Sequence, residues 1–323
     1  MATTSDKSVL LLKPRGFCAG VVRAIDIVEL ALSAYGPPLY VRKEIVHNQH
    51  VVKDLASRGA IFVNEVDDVP PGARLVYSAH GVSPAVRRAA RDRNLRVIDA
   101  TCPLVTKVHL EAVKFAKTHD TIVLIGHKEH DETIGTMGEA PERTIIVSSP
   151  AEAEEVEIRG PKVAYLTQTT LSVDETASII GVLRRRFPTI QAPPAQDICF
   201  ATENRQDAVR QSAEFADLLL VVGSANSSNS RRMVEVAARQ GLPGHLIDDE
   251  TEIQSNWFEG VDRIAVSAGA SAPESIVQRV VTALNEFGFA TVREVEVVEE
   301  NIQFPLPPEL HPVPQTAHFR STS

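Results

Sequence analysis

Cys18, Cys102 and Cys199 are the only three cysteines in the 323-residue chain. An odd, sparse set does not make a disulfide framework, and a single thiol is most often an ordinary core residue. Their surroundings give them more meaning. The stretches SVLLLKPRGFCAGVVRAIDIVELAL, NLRVIDATCPLVTKVHLEAVKFA and PPAQDICFATENRQDAVRQSAEFA each set a turn or short strand before the cysteine. Each then places apolar residues at i, i+3, i+4 and i+7 after it, the pattern of an amphipathic helix. The spacing predicts each thiol at a helix N-terminus, where the dipole favours the thiolate, the form that binds metal. Structural zinc sites take four ligands, often as CxxC pairs, and the chain has no such pair. Iron–sulfur clusters usually take four cysteines. Three would leave one iron open to a substrate, a Lewis acid and an electron source together. Zinc held by three cysteines stays open on the residues alone.

A second group of residues is polar and not basic. His47, His80, His127 and His130 fall in turns after apolar runs, as do Ser227, Ser228, Asn229 and Ser271. Any one histidine has an ordinary reading as a core or surface residue. As a set, imidazoles, hydroxyls and an amide make a cradle for phosphate oxygens, strengthened by helix N-termini beneath it. SANSSNS by itself is a polar loop, but it lies directly between DLLLVVG and RRMVEVAARQ, which favours an anion site at a helix cap. Glu132, in HKEHDETIGTMG, suits a buried proton donor, because burial raises a carboxyl pKa. It equally suits an ordinary first-turn glutamate. Thr169, in TQTTLS, offers one hydroxyl at a strand end. The runs EAEEVE (152–157) and VREVEVVEE (292–300) read as solvated acidic faces.

The elements that must position these residues recur three times. The cysteines are 84 residues (18 to 102) and 97 residues (102 to 199) apart. After each comes an apolar strand, LYVRK, TIVLI or DLLLVV, then a polar turn at 44–50, 126–132 or 223–230. A third motif follows in ARLVYSAHGVSPAVRRAA, KVAYLTQTTLSVDETASI and RIAVSAGASAPESIVQRV, each preceded by a turn glycine, Gly72, Gly160 or Gly260. Strand alternating with helix predicts an α/β fold of three pseudo-repeated small parallel lobes around a central cavity that holds an iron–sulfur cluster. In such sheets ligands bind at the carboxyl ends of the strands. The expected lobes are 16–100, 101–196 and 197–284, with 8–15 packing on the last and 285–323 a partly disordered C-terminal extension.

Composition limits the rest. The net charge is −9 with no long Lys or Arg run, which argues against nucleic acid as a partner. No apolar run reaches the roughly 18 residues of a membrane span. The start, MATTSDKSVLLLKPRGF, lacks a basic n-region and a signal-length apolar run, so a cytoplasmic location is expected.

PRGFCAGVVRAI, the His47-Asn48 pair, SAHGVSP, DATCPLV, GHKEHDETIGTMGE, LTQTTLSVDET, DICFATENRQ, VVGSANSSNS and SAGASAP together resemble the IspH or LytB family, the 4-hydroxy-3-methylbut-2-enyl diphosphate reductases. The resemblance runs from about residue 10 to residue 297. It implies a [4Fe–4S] cluster on Cys18, Cys102 and Cys199, with the fourth iron meeting the substrate hydroxyl. It implies loss of that hydroxyl as water with two electrons and protons, giving isopentenyl and dimethylallyl diphosphate at the end of the non-mevalonate isoprenoid pathway. Glu132 then matches a proton donor, Thr169 a hydroxyl ordering the substrate oxygen, and His130 a histidine tied to proton delivery near the diphosphate. His47, His80, Ser227, Ser228, Asn229 and Ser271 match the diphosphate site. Ferredoxin or flavodoxin would supply electrons. The tail from Glu300 fits no part of the family core. Two other readings compete: a three-lobed iron–sulfur dehydratase resembling quinolinate synthase, whose carboxylate substrates call for Arg or Lys, and an iron–sulfur sensor, which needs neither cradle nor acid.

Overall fold

The computed structural model describes residues 7–310. Three separate parallel sheets carry the chain, and the same order of elements builds each one.

β1 (Ser8–Lys13) comes first in the chain and joins the third sheet. The first unit runs from α1 (Ala19–Tyr35) through β2 (Leu39–Arg42), α2 (Gln49–Ser57), β3 (Ala60–Val63), β4 (Arg74–Tyr77), α3 (Pro84–Asp92) and β5 (Arg96–Asp99). The second has α4 (Pro103–Ala116), β6 (Thr121–Ile125), α5 (Asp131–Met137), β7 (Thr144–Val147), α6 (Pro150–Glu155), β8 (Val163–Thr167) and α7 (Val173–Arg186). The third has α8 (Phe200–Ser212), β9 (Leu218–Val222), α9 (Ser228–Arg239), β10 (Gly244–Ile247), β11 (Arg263–Ala268), α10 (Glu274–Glu286) and β12 (Thr291–Glu296). The sheets read β3-β2-β4-β5, β7-β6-β8 and β10-β9-β11-β1-β12. The shared order is thus second strand, first strand, third strand. The second unit keeps a remnant of the fourth strand, a single parallel bridge from Ala164 to Gln191.

The central strands read as unbroken apolar runs because helices cover both faces. TIVLI, VAYLT and LLLVV are buried at every position. Each fully buried Val, Leu or Ile contributes about 1.5–3 kcal/mol over exposure. That outweighs a strand propensity scale spanning about 1 kcal/mol, so burial decides which runs become central strands. The turn glycines before β4, β8 and β11 are Gly72, Gly160 and Gly260, at φ +77, +71 and +73. The same left-handed turn, costly for residues with a Cβ, recurs where each third strand begins. Ser83 and Ser172 then cap α3 and α7, and Pro273 occupies the N-cap position of α10.

The run 292–300 differs from a purely solvated acidic face. Its first part is β12, which pairs in register with β1 from Ser8↔Thr291 to Lys13↔Glu296. It is a charged, mostly exposed edge strand, a composition that resists pairing with other chains. The sheet built on β9 and β11 therefore takes both β1 and a strand from the 285–323 stretch. Further on, Leu306 and Leu310 pack against the core around α1 and β2. The remainder of that stretch, from 311, lies outside the described residues.

Candidate functional site

The three cysteines occupy equivalent places. Cys18, Cys102 and Cys199 are the N-cap residues of α1, α4 and α8, and none uses its side chain to cap. Each cysteine N–H donates to the carbonyl of a third-motif loop: Cys102 to Ala79 at 2.9 Å, Cys199 to Thr169 at 3.0 Å and Cys18 to Ala270 at 3.1 Å. Each loop belongs to the unit before its cysteine, and Cys18 takes the loop of the last unit, so the three bonds form a closed ring. Each loop is itself held at the carboxyl end of its sheet: Ala79 N–H donates to Ile45, Gln168 N–H to Ile125 and Gly269 N–H to Val222.

The thiols share one enclosed region. Burial pushes the Cys102 thiol up to about 12 and the Cys199 thiol up to about 11, and in both the next cause is Cys18. Three thiolates side by side need a cation among them to stay ionised. The space is kept open by Gly20, where a Cβ would lie 2.7 Å from Cys102 Sγ and 3.9 Å from Cys18 Sγ. Among the described residues, the His/Cys/Asp/Glu set whose ligand atoms all fall within 4.8 Å of one another is His47, His80 and Asp131, so the three sulfurs are spread wider than that. A single zinc, with bonds to sulfur of about 2.3 Å, draws its thiolates closer together. The donor set and its spread therefore fit a polynuclear iron–sulfur group.

Glu132 stands next to this region. It lies in the first turn of α5 and is only 2% exposed. Thr169 N–H donates to Glu132 Oε1 at 2.6 Å, and Thr169 Oγ1 lies 3.0 Å from Oε2. Burial raises the carboxyl pKa to about 7; the two Thr169 bonds oppose the rise and Asp197 adds to it. Thr169 therefore touches both the acid, through its N–H and hydroxyl, and Cys199, through its carbonyl.

Three imidazoles gather near Glu132, whose backbone N–H donates to one of them, His130. His47 and His80 stack with centroids 4.0 Å apart, and His130 meets them edge-on at 5.2 and 5.8 Å. His47 follows β2 and directly precedes Asn48, whose Oδ1 caps α2 by accepting from His50 N and Val51 N. His47 Nδ1 lies 3.2 Å from Glu44 Oε2, and its Nε2 is buried with no hydrogen-bond partner. His130 is the N-cap of α5, its Nδ1 accepting from Glu132 N. Burial lowers His130 to about 3 and takes His80 well below its usual value, with neighbouring imidazoles adding to both shifts. His80 and His130 are thus neutral near pH 7, and an arriving anion would favour their protonation. His127 is set apart, beside Ser148, Leu171 and Glu175.

The third unit supplies hydroxyls and an amide. Ser227 caps α9 and accepts from Ser230 N. Ser228 Oγ donates to Thr170 O at 3.1 Å and Ser271 Oγ donates to His47 O at 2.8 Å, so these serines reach the second and first units. Asn229 is 3% exposed, and its Oδ1 has no hydrogen-bond partner. Such orphaned buried polar atoms, with His47 Nε2 among them, mark a place where a ligand is expected.

Sequence reasoning missed several supporting residues. Gln168 Oε1 accepts from His127 N and Thr133 Oγ1, which fixes the turn before α5. Ser230 Oγ donates to Ser227 Oγ at 2.9 Å and fills space beside two glycines. A Cβ at Gly223 or Gly269 would lie 2.3 or 1.9 Å from it. Glu44 holds His47, and Asn226 Nδ2 donates to Glu44 at 2.8 Å. All lie inside the turn motifs, where the recurring glycine and hydroxyl pattern was the available signal.

Fold and site thus define an α/β protein of three parallel sheets, with a buried acid between a ring of thiols and a cradle of imidazoles and hydroxyls. The LytB protein family model matches residues 9–285, and the chain belongs to that family. It is 56% identical over 306 residues to the 4-hydroxy-3-methylbut-2-enyl diphosphate reductase of Acidothermus cellulolyticus, covering 94% of this chain and 90% of that one. It is 54% identical over 303 residues to the enzyme of the same name from Rhodopirellula baltica, covering 94% and 95%. Among solved structures, the E-1-hydroxy-2-methyl-but-2-enyl-4-diphosphate reductase of Plasmodium falciparum superposes with a TM-score of 0.92 at 41% identity, covering 94% of this chain and 97% of that one. Another, described as the terminal enzyme of the non-mevalonate pathway, gives 0.61 at 30% identity, covering 87% and 99%. No helix among the described residues is long and apolar enough to cross a membrane.

Proposed function

We propose that the chain reduces (E)-4-hydroxy-3-methylbut-2-enyl diphosphate to isopentenyl and dimethylallyl diphosphate, the last step of the non-mevalonate isoprenoid pathway. Cys18, Cys102 and Cys199 hold a [4Fe–4S] cluster, and a ferredoxin or flavodoxin delivers the electrons. The observation that supports this reading is the position of Glu132: a buried carboxyl with a pKa of about 7, joined through Thr169 to the Cys199 loop, on a residue whose backbone N–H donates to His130 Nδ1 of the imidazole cluster. A sensor needs no such acid. The nearest polar side chains of the cradle are His, Ser and Asn, which suits a diphosphate better than the carboxylates of a dehydratase substrate.

When bound, the cluster supplies electrons singly and a Lewis-acidic iron to the departing hydroxyl. The chain does the remainder. Ser227, Ser228, Asn229 and Ser271 bind the diphosphate oxygens at the capped start of α9, where backbone N–H groups and the helix dipole add attraction. His47 and His80 bind the same anion from the first unit. This fixes the far end of the substrate, so the allylic carbon and hydroxyl fall toward the thiol ring without further search. Glu132 holds a proton beside Thr169. The carbon–oxygen bond breaks with two electrons and two protons: one proton leaves with the oxygen as water, the other goes to an allylic carbon. Thr169 Oγ1, within hydrogen-bond reach of Glu132 Oε2, passes the proton to the oxygen. His130, two residues before Glu132, is the residue we assign to proton resupply from the diphosphate side.

The test uses anaerobically purified chain with a chemically reduced ferredoxin and the hydroxylated diphosphate, with products separated by mass spectrometry. Formation of both five-carbon diphosphates with about one water released per two electrons supports the reading. An intact cluster with no turnover of this diphosphate overturns it.

A further inference from the structure

The segment after β12 takes no part in the site, yet it is bonded to the backs of the cysteine loops at two points. Glu300 pairs with Arg205, Nη1 lying 3.0 Å from Oε1 and 3.2 Å from Oε2, and accepts from Asn204 Nδ2 at 2.9 Å. Pro305 O accepts from Arg23 Nε at 2.7 Å. Both arginines stand on helices that begin at a cysteine: Arg23 on α1, capped by Cys18, and Arg205 on α8, capped by Cys199. Each also reaches into another cysteine's approach. Arg205 Nη2 donates to Gly16 O at 2.8 Å, just before Cys18, and its Nη1 donates to Ala201 O just after Cys199. Arg23 Nη1 donates to Thr101 O at 3.1 Å, next to Cys102. One guanidinium therefore ties the Cys199 helix to the Cys18 loop, and the other ties the Cys18 helix to the Cys102 loop.

The energetics make the tail more than a covering. Arg205 is 1% exposed, and Glu300 is the carboxylate paired with it. Removing one partner of a buried pair leaves an uncompensated charge that must relax toward water. For Arg205 that relaxation pulls on Gly16 and Ala201, the neighbours of two cysteines. The tail is seated for this task by Leu306 and Leu310 on the core around α1, and Tyr35 Oη donates to Glu309 O at 3.3 Å.

We propose that Glu300–Leu310 is a clasp that holds the three cysteine loops at cluster-binding separation through Arg205 and Arg23. This rests on the reading that those cysteines hold a cluster. Four chains would be compared: unaltered, Glu300→Ala, one ending at Glu299, and Leu183→Ala, a core variant remote from the cysteine loops. Two rates would be read. The first is bleaching of the cluster's visible absorption by an iron chelator under argon, in the holoprotein. The second is modification of the three thiols by an aromatic disulfide in the cluster-free protein. Circular dichroism melts would report the fold. Both tail variants are expected to melt lower, since the buried pair or Leu310 is lost. They are expected to lose cluster about tenfold faster, and to expose thiols faster by a similar factor, than Leu183→Ala at the same margin below its own melt. Rates within about twofold of the unaltered chain overturn the clasp, as do rates no faster than those of Leu183→Ala at that margin, the mark of a tail that merely stabilises the fold. An unaltered chain that takes up no cluster would remove the cofactor reading, and the thiol rates would still judge the clasp.

Discussion

Glu132 illustrates how one residue's surroundings decide its chemistry. A first-turn glutamate in water would be ionised at pH 7 and useless as an acid. At 2% exposure, burial outweighs the two donations from Thr169, and it keeps a proton up to about pH 7. Turnover should therefore fall as pH rises through about 7, by about tenfold per unit once the carboxyl ionises. A kcat profile that stays flat to pH 9 would contradict this. Stability should follow the same sign. A carboxyl raised by burial contributes most below its unfolded value of about 4.3 and loses that contribution as pH rises through about 7. Glu132→Gln should keep the iron content and lower kcat by about 100-fold or more, with KM little changed. Cys102→Ser should lose the cluster altogether, because a hydroxyl is a poor ligand for a soft site; iron analysis and the visible spectrum decide it. The sequence left Glu132 balanced between acid and helix-start residue. Spacing places a side chain on a turn, but burial, with Asp197, distant in the chain, adding to it against the two Thr169 bonds, is what raises its pKa to about 7.

At the scale of elements, the repeated strand, turn and capped helix were legible because each rests on local physics: apolar runs, turn glycines, and serine or asparagine caps. The ring in which each cysteine N–H bonds to the preceding unit's third-motif loop was not, because it joins residues such as Cys18 and Ala270 across nearly the whole chain. Nor were Ser230 and Gln168, which act only through what they wedge or hold. β12 was hidden by its charge, since an edge strand with little burial reads like a solvated face. Gly20 offers an element-level test. Alanine inside a helix is favoured over glycine by about 1 kcal/mol, yet a Cβ there would lie 2.7 Å from Cys102 Sγ. Gly20→Ala should leave the melting temperature of the cluster-free chain equal or higher while cluster occupancy falls several-fold. Full occupancy would show that the space beside Gly20 is not needed.

The whole molecule is three sheets whose strand ends meet, with the proposed function divided among them: His47 and His80 from the first, His130, Glu132 and Thr169 from the second, hydroxyls and amide from the third. Contacts such as Ser271 to His47 O and Ser228 to Thr170 O bind the units at the site itself. The central claim is that the three cysteines hold one cluster whose open iron meets the substrate. Iron and sulfide analysis with Mössbauer spectra, on anaerobically purified chain before and after the hydroxylated allylic diphosphate is added, tests it most directly. About four irons per chain are expected, with one iron changing environment on addition. Zinc in place of iron, or a cluster whose spectrum is unmoved by the diphosphate, would contradict the account.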